Sequence, residues 1–280
     1  MPRVPVLYHA PRMRRRWMLA SLIALSLGAA AAVGQTAPSH SRLDAILDIY
    51  VRDGRVYYRA LRLERSSLDR YVASLDVAVD GLPSDEQAAF WLNAYNALVL
   101  RTVVDRYPIL GAAPQYPPGS IRQIPGAFDG RRFSVGGRNM TLDEIEALLT
   151  EFGDPRLLLA LGRGALGSPR LRSEAFRSST LEQQLQAVVT DFVATEQLVN
   201  VDRSDGRLRV SPILGWQAVS FIAAYAEESA AAGARSPVER ATLALIGPHL
   251  LPREREFIAA DAFIMEYLDF DWRLNDLTGF

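Results

Sequence analysis

The chain contains no cysteine and no lysine: all 31 basic residues among its 280 are arginine. The first absence removes any disulfide framework, thiol nucleophile, or zinc or iron–sulfur site ligated through sulfur. The second removes Walker lysines, Schiff-base amines and Ser–Lys dyads. Histidine is nearly as scarce, with His9, His40 and His249 alone. His9 and His40 belong to N-terminal segments, so His249 is the sole imidazole expected inside the fold. A multi-histidine metal site cannot be assembled, and no metal or cofactor is expected.

What is present describes one globular domain. At 49% hydrophobic and 22% charged the chain can build a substantial core and gives no sign of disorder. Its charge is unevenly placed: no acid precedes Asp44, whereas Arg3, Arg12, Arg14, Arg15 and Arg16 crowd the start. Arg14 to Arg16, the 17-residue apolar stretch WMLASLIALSLGAAAAV and the small residues up to Gly34 have the order of a secretory signal. The expected organisation is a signal peptide over residues 1–34, a short segment over 35–42 and one domain over 43–276, in the periplasm or secreted. The apolar stretch lies at the short limit for crossing a bilayer, so an uncleaved signal anchor is the one membrane association the sequence allows. Without residues 1–34 the chain keeps 26 basic residues against 32 acids, a net charge of −6, which argues against nucleic acid as a partner.

Local patterns predict a mainly helical α+β domain with short antiparallel hairpins. Residues 43–51 and 64–76 read as amphipathic helices separated by a strand-like RVYYRAL after Asp53-Gly54. Ser84 with Gln87 predicts a capping box opening a long helix through Asp105, stopped by Tyr107-Pro108. RRFSV, Gly136-Gly137 and RNM predict a hairpin that runs into a second capping box, Thr141 with Glu144, for a helix to Glu151. A helix from Thr180 to Gln197, a hairpin turning at Gly206 and a helix opened by Ser236-Pro237-Val238-Glu239 follow. Asp269 and Asp271, beside Trp272, read as alternating strand neighbours, with salt bridges to arginine as their expected role.

Gly162-Arg163-Gly164-Ala165-Leu166-Gly167 fits the dinucleotide fingerprint G-x-G-x-x-G letter for letter. Its surroundings do not. A fingerprint needs a helix opening at the third glycine and, about twenty residues on, an acid ending a second strand. Here Ser168-Pro169 and a polar stretch follow, and Asp191 lies inside a helical pattern. The glycines instead predict a tight loop, for which their freedom at positive φ suffices.

Several motifs occur in one order: Phe90-Trp91-Leu92-Asn93-Ala94-Tyr95-Asn96, Ser120-Ile121, Leu142 to Glu146, Asp154-Pro155-Arg156, the glycine loop with Ser168-Pro169, and Leu268-Asp269-Phe270-Asp271-Trp272-Arg273-Leu274-Asn275. Together they resemble the DUF547 family, a domain of unknown function. The resemblance implies a mixed, mainly helical fold from about Leu43 to Asn275 and assigns no activity. Family members usually read D-P-R-I-H-F-A-L-x-C-G-A-x-S-C-P across the glycine stretch. This chain places Leu158 at the histidine, Arg163 at the first cysteine and Ser168 at or beside the second; a further helical histidine is replaced by Ala147. Both the thiol and the imidazole that the family carries are gone.

The helix around Asn93 and Asn96 is apolar on nearly every side, so both amides are expected to be buried, at a cost of about 1–3 kcal/mol each unless hydrogen-bonded. They either pin loop backbone, the 162–169 loop being one candidate, or line a pocket and hold a ligand oxygen. Glu146 either pairs with an arginine such as Arg156 or Arg163 or works as a general acid. Arg163 either binds an anion together with the loop amides or is a solvated loop charge. Ser168 is a turn residue or a nucleophile, and as a nucleophile it needs His249 as its base. Two readings of function follow. One is a periplasmic binding or interaction module with a decayed family site, taking a small anionic or carboxylate-bearing ligand through Asn93, Asn96 and Arg163, or a periplasmic protein. The other is a hydrolase or transferase using Ser168, Glu146 or His249, with Asn93 and Asn96 placing the substrate.

Overall fold

The computed structural model describes residues 39–227 and 235–278. The export signal expected over residues 1–34, His9 within it, and residues 35–38 lie outside the described residues. Among the described residues the protein is a mainly helical α+β fold of eleven helices and three small sheets.

Leu43, Ile46, Leu47 and Tyr50 recur every three or four residues, and helix α1 (Ser41–Tyr50) buries that stripe. Strands β1 (Val51–Arg52) and β2 (Arg55–Val56) pair across Asp53-Gly54, both at positive φ. The strand-like reading of RVYYRAL holds for its first two residues only. Tyr58 and Leu61 are three apart and both buried, so tertiary packing draws the remainder into helix α2 (Tyr58–Leu63). The helix expected over 64–76 is the shorter α3 (Ser66–Ala73).

Helix α4 (Ser84–Arg106) is the axis of the fold. From Ala88 to Val104 every residue except Arg101 is buried, and α4 packs against α2, α3 and α5 (Leu142–Thr150). Its expected capping box does not form. Pro83 occupies the cap position, and Gln87 donates instead to the carbonyls of Leu82 (2.7 Å) and Asp80 (3.3 Å), tying the entering loop to the first turn. Near the other end, Asp105 accepts from Arg65, Arg101 and Arg131, which fastens α3 and the segment before β3 (Phe133–Val135) to α4. Strand β3 pairs with β4 (Arg138–Met140) through Gly136-Gly137. The capping box expected at α5 is present, with Thr141 Oγ1 accepting from the Glu144 amide and Glu144 accepting from the Thr141 amide.

The short α6 (Arg156–Leu159) leads into the glycine loop, and α7 (Leu181–Ala194) packs against α6. Strands β5 (Val199–Asp202) and β6 (Arg207–Val210) form the expected hairpin. Helices α8 (Ile213–Trp216), α9 (Ala218–Tyr225), α10 (Pro237–Ile246) and α11 (Pro252–Ala259) precede β7 (Ile264–Tyr267). Strand β7 joins β6 in parallel, from Arg207 opposite Ile264 to Val210 opposite Tyr267, so this sheet is mixed rather than a plain antiparallel hairpin. Glu266 on β7 accepts from Arg207 (2.6 Å) and Arg209 (2.7 Å) on β6, a cross-strand charge match that sequence distance conceals. Asp269 and Asp271, expected in a strand, follow the end of β7, and Asp271 pairs with Arg273 at 2.5 Å. No helix among the described residues is long and apolar enough to cross a membrane.

Candidate functional site

Asn93 and Asn96 are 1% and 3% exposed on α4, three residues apart on one face. Each closes a two-way hydrogen bond with loop backbone. Asn93 Nδ2 donates to the Phe176 carbonyl (2.8 Å) while its Oδ1 accepts from the Phe176 amide (2.9 Å). Asn96 Nδ2 donates to the Ala160 carbonyl (3.1 Å) and its Oδ1 accepts from the Gly162 amide (2.8 Å). An asparagine amide offers the donor and acceptor of a peptide group, so each side chain stands in for a missing strand partner. The pair clamps both ends of the segment 160–176 onto the central helix.

Within that segment the glycine loop is stitched to the C-terminal stretch. The Leu166 and Gly167 amides donate to the carbonyls of Arg273 (2.9 Å) and Asp271 (2.8 Å), and Ala165 bridges Leu274. Gly164 has φ +67°, and a Cβ on Gly167 would lie 2.6 Å from the Asp271 amide nitrogen, which accounts for glycine at both positions. The Arg163 amide donates to Ser168 Oγ (3.0 Å), and the Ser168 amide to the Ala165 carbonyl (3.2 Å). With the amides of residues 162, 163, 166, 167 and 168 all engaged inside the protein, the loop does not present the row of free N–H groups that an anion nest requires.

Arg163 leaves this loop in the direction of α5. Its guanidinium is buried, at 3% exposure, and Nη2 donates to Glu146 Oε1 at 2.7 Å. Gln217 Nε2, from between α8 and α9, donates to the same oxygen at 2.8 Å, and the Tyr95 hydroxyl of α4 reaches Oε2 at 3.4 Å. Burial works against the charged guanidinium, but the Glu146 carboxylate outweighs it and holds the Arg163 pKa above its ordinary value. Burial and the adjacent Glu146 together push the Tyr95 hydroxyl well above the ordinary tyrosine range. This network is satisfied on every named member and joins three parts of the chain far apart in sequence.

The network forms the floor of a cleft of about 330 Å³. Trp216, Trp272 and Phe128 wall it, and Arg122, Asp143 and Ala147 line it as well. Trp216 is 49% exposed, and its ring lies near-parallel to that of Trp272 with centroids 6.3 Å apart. The Arg122 guanidinium rests 4.3 Å from the Trp272 ring centre and 4.6 Å from that of Phe128. A three-residue turn, Ile121–Gln123, presents it; Ser120 caps the turn, and Gln123 anchors it by bonds to Ala113 and Tyr116. Burial and Glu146 raise the Asp143 pKa above that of an ordinary aspartate.

The sequence candidates therefore divide. Glu146 and Arg163 meet at the cleft, paired with each other; Arg156, the other arginine considered for Glu146, is engaged with Asp154 and Glu182. Asn93 and Asn96 do not line it. Ser168 faces a separate cavity of about 540 Å³ shared with Asp269 and Asp271. His249 Nδ1 lies 3.1 Å from Thr190 Oγ1 on α7, and no hydrogen bond joins His249 to Ser168 among the described residues. Arg122, Trp216 and Gln217 lay in no motif, and Trp272, although inside the Leu268–Asn275 motif, was not singled out as a site residue. A hint for Trp216 was its place in ILGWQAVSFIAAY, where a large aromatic adjoins a glutamine in an otherwise apolar run.

The fold and the cleft define a mainly helical α+β domain with a buried ion pair under an aromatic-walled opening. Residues 79–193 match the model of the family described as "Protein of unknown function, DUF547", which supports assigning that stretch to the family. No curated protein and no solved structure matches it. The matched stretch supplies Arg122, Phe128, Asp143, Glu146, Ala147 and Arg163 to the cleft, whereas Trp216, Gln217 and Trp272 lie beyond it.

Proposed function

We propose that this protein is an exported binding module whose family pocket persists without the family's thiol and imidazole. The observation that carries this reading is that Ala147 and Arg163, the positions where the resemblance places a helical histidine and a cysteine, line the same cleft. At one of them a methyl group now stands. At the other a guanidinium does, which donates through Nη2 to Glu146 and has no lone pair with which to attack. What remains is a recess with aromatic walls and a few fixed polar groups, the general make-up of a small-molecule site. Placement in the periplasm or outside the cell belongs to the same proposal and rests on the basic and apolar order of residues 14–34.

Treatment of the purified protein with a fluorophosphonate probe tests the first part. No adduct on Ser168 or any other serine is expected, because Ser168 Oγ already accepts a backbone hydrogen bond and His249 is engaged by Thr190. Labelling of Ser168 that disappears in His249→Ala would overturn the reading in favour of a hydrolase or transferase. A reporter active only outside the cytoplasm, fused after residue 40, tests the second part and is expected to be active; a silent, stably expressed fusion would overturn export.

A further inference from the structure

We infer that the cleft takes an aryl carboxylate, with the ligand's carboxylate on Arg122 and its ring against Trp216; this rests on the reading of the cleft as a binding site. Four ionisable groups line the opening, and they are not equivalent. Arg163 and Glu146 neutralise one another at 2.7 Å and have further partners in Gln217 and Tyr95. Arg122 has neither. Its side chain makes no hydrogen bond and no ion pair among the described residues, and its Nε is buried without a partner. Two aromatic faces hold the guanidinium in place, which fixes its plane and removes much of the entropy a free arginine would lose on binding.

A guanidinium so placed matches a carboxylate, whose two oxygens meet its fork. A phosphate suits the cleft less well, because Asp143 and Glu146 line the same space and repel a dianion more than a monoanion, and the loop amides that would share a phosphate are consumed. An ammonium ligand would have to turn to Asp143. That carboxylate already feels the Arg122 charge across the cleft, so a second cation there competes with a fixed one. The group without a hydrogen-bonding partner is the positive one. The ligand's body is set by the walls: Trp216 offers half its surface, and Trp272 lies nearly parallel behind it, a platform for a flat ring.

The mature protein titrated with phenylacetate, phenylacetamide and phenethylamine in a calorimeter tests the inference. These probes share a ring and differ in charge. Phenylacetate is expected to bind about tenfold or more tightly than phenylacetamide, with affinity falling as salt is raised. Arg122→Gln should erase the difference between the acid and the amide, Arg122→Lys should retain part of it, and Asp143→Asn should tighten phenylacetate severalfold by removing a like charge. Equal affinity for acid and amide in the parent would overturn the carboxylate assignment while leaving a binding cleft. Tighter binding of phenethylamine, weakened by Asp143→Asn, would overturn it in favour of a cationic ligand. No heat with any of the three would overturn both the assignment and the binding reading.

Discussion

Two polar constructions meet at the same glycine loop, and they treat their hydrogen-bonding capacity differently. Asn93 and Asn96 give theirs to the backbone of residues 160, 162 and 176, with donor and acceptor answered in pairs. Arg163, a residue further along, turns to Glu146 and the floor of an open cleft, where Arg122 stands with no partner. The first arrangement is buried against backbone, out of a ligand's reach. The second opens onto a cleft. A buried amide that completes a backbone ladder is a folding device even when it carries a family motif, and the residue with spare capacity is one no motif marked.

The contrast can be broken by mutation. The largest effect is expected for Glu146→Leu, which leaves the Arg163 guanidinium buried and uncompensated and should cost about 3–5 kcal/mol in denaturant unfolding. Adding Arg163→Met should restore most of the loss, since two apolar groups of similar volume replace the pair. A double variant as unstable as the single one would show that the pair is not an isolated unit.

Asn93→Ala comes next. It strands the buried amide and carbonyl of Phe176, for about 2–4 kcal/mol and a fall of about 5–10 °C in Tm by calorimetry. At temperatures where the variant is folded, phenylacetate affinity should match the parent's. Unchanged stability with lost affinity would exchange the roles assigned to the two regions.

A pH effect of intermediate size is expected at the N-terminal edge of the domain. His40 Nδ1 lies 2.7 Å from the Tyr71 hydroxyl with its ring beside Phe90, and burial, aided by Arg177, lowers its pKa from 6.5 to about 4. The unfolded chain therefore takes up a proton below 6.5 that the folded chain resists until about 4. Stability is full above the upper value and declines as pH falls through this window, by on the order of 2–3 kcal/mol. His40→Gln should flatten that part of the unfolding profile, and an unaltered profile would remove His40 as its source. The smallest effect belongs to Trp216→Ala, within about 0.5 kcal/mol in stability because the ring is half exposed, with phenylacetate binding weakened severalfold.

Elements whose signals are local were legible without coordinates. Thr141 with Glu144, and Ser236 with Glu239, form capping boxes where the spacing placed them, and Gly136-Gly137 and Gly206 turn their hairpins. Ser84 with Gln87 has the same spacing and failed, because Pro83 takes the cap position and Gln87 finds better acceptors in the preceding loop. The apolar helix around Asn93 and Asn96 was readable as buried from composition alone. Strand β7 was not, since the strand it pairs with, β6, lies nearly sixty residues earlier, where Arg207 and Arg209 donate to Glu266.

By itself the sequence determined what chemistry is unavailable: with neither cysteine nor lysine, no arrangement of this chain supplies a thiol or a lysine Schiff base, although His40, expected outside the fold, packs against Tyr71 and Phe90 and gives the domain a second imidazole besides His249. It also determined the central helix and the tight glycine loop, because apolar periodicity and backbone freedom act over a few residues. Only the tertiary structure decided that Arg163 and Glu146 would neutralise each other, that Ser168 would face a different cavity from theirs, and that Arg122 would lie against Trp272 with its Nε unpartnered. Which side chains meet depends on distances of a few ångströms between segments as much as 150 residues apart, as Arg122 and Trp272 are, and those distances are set by how the elements pack.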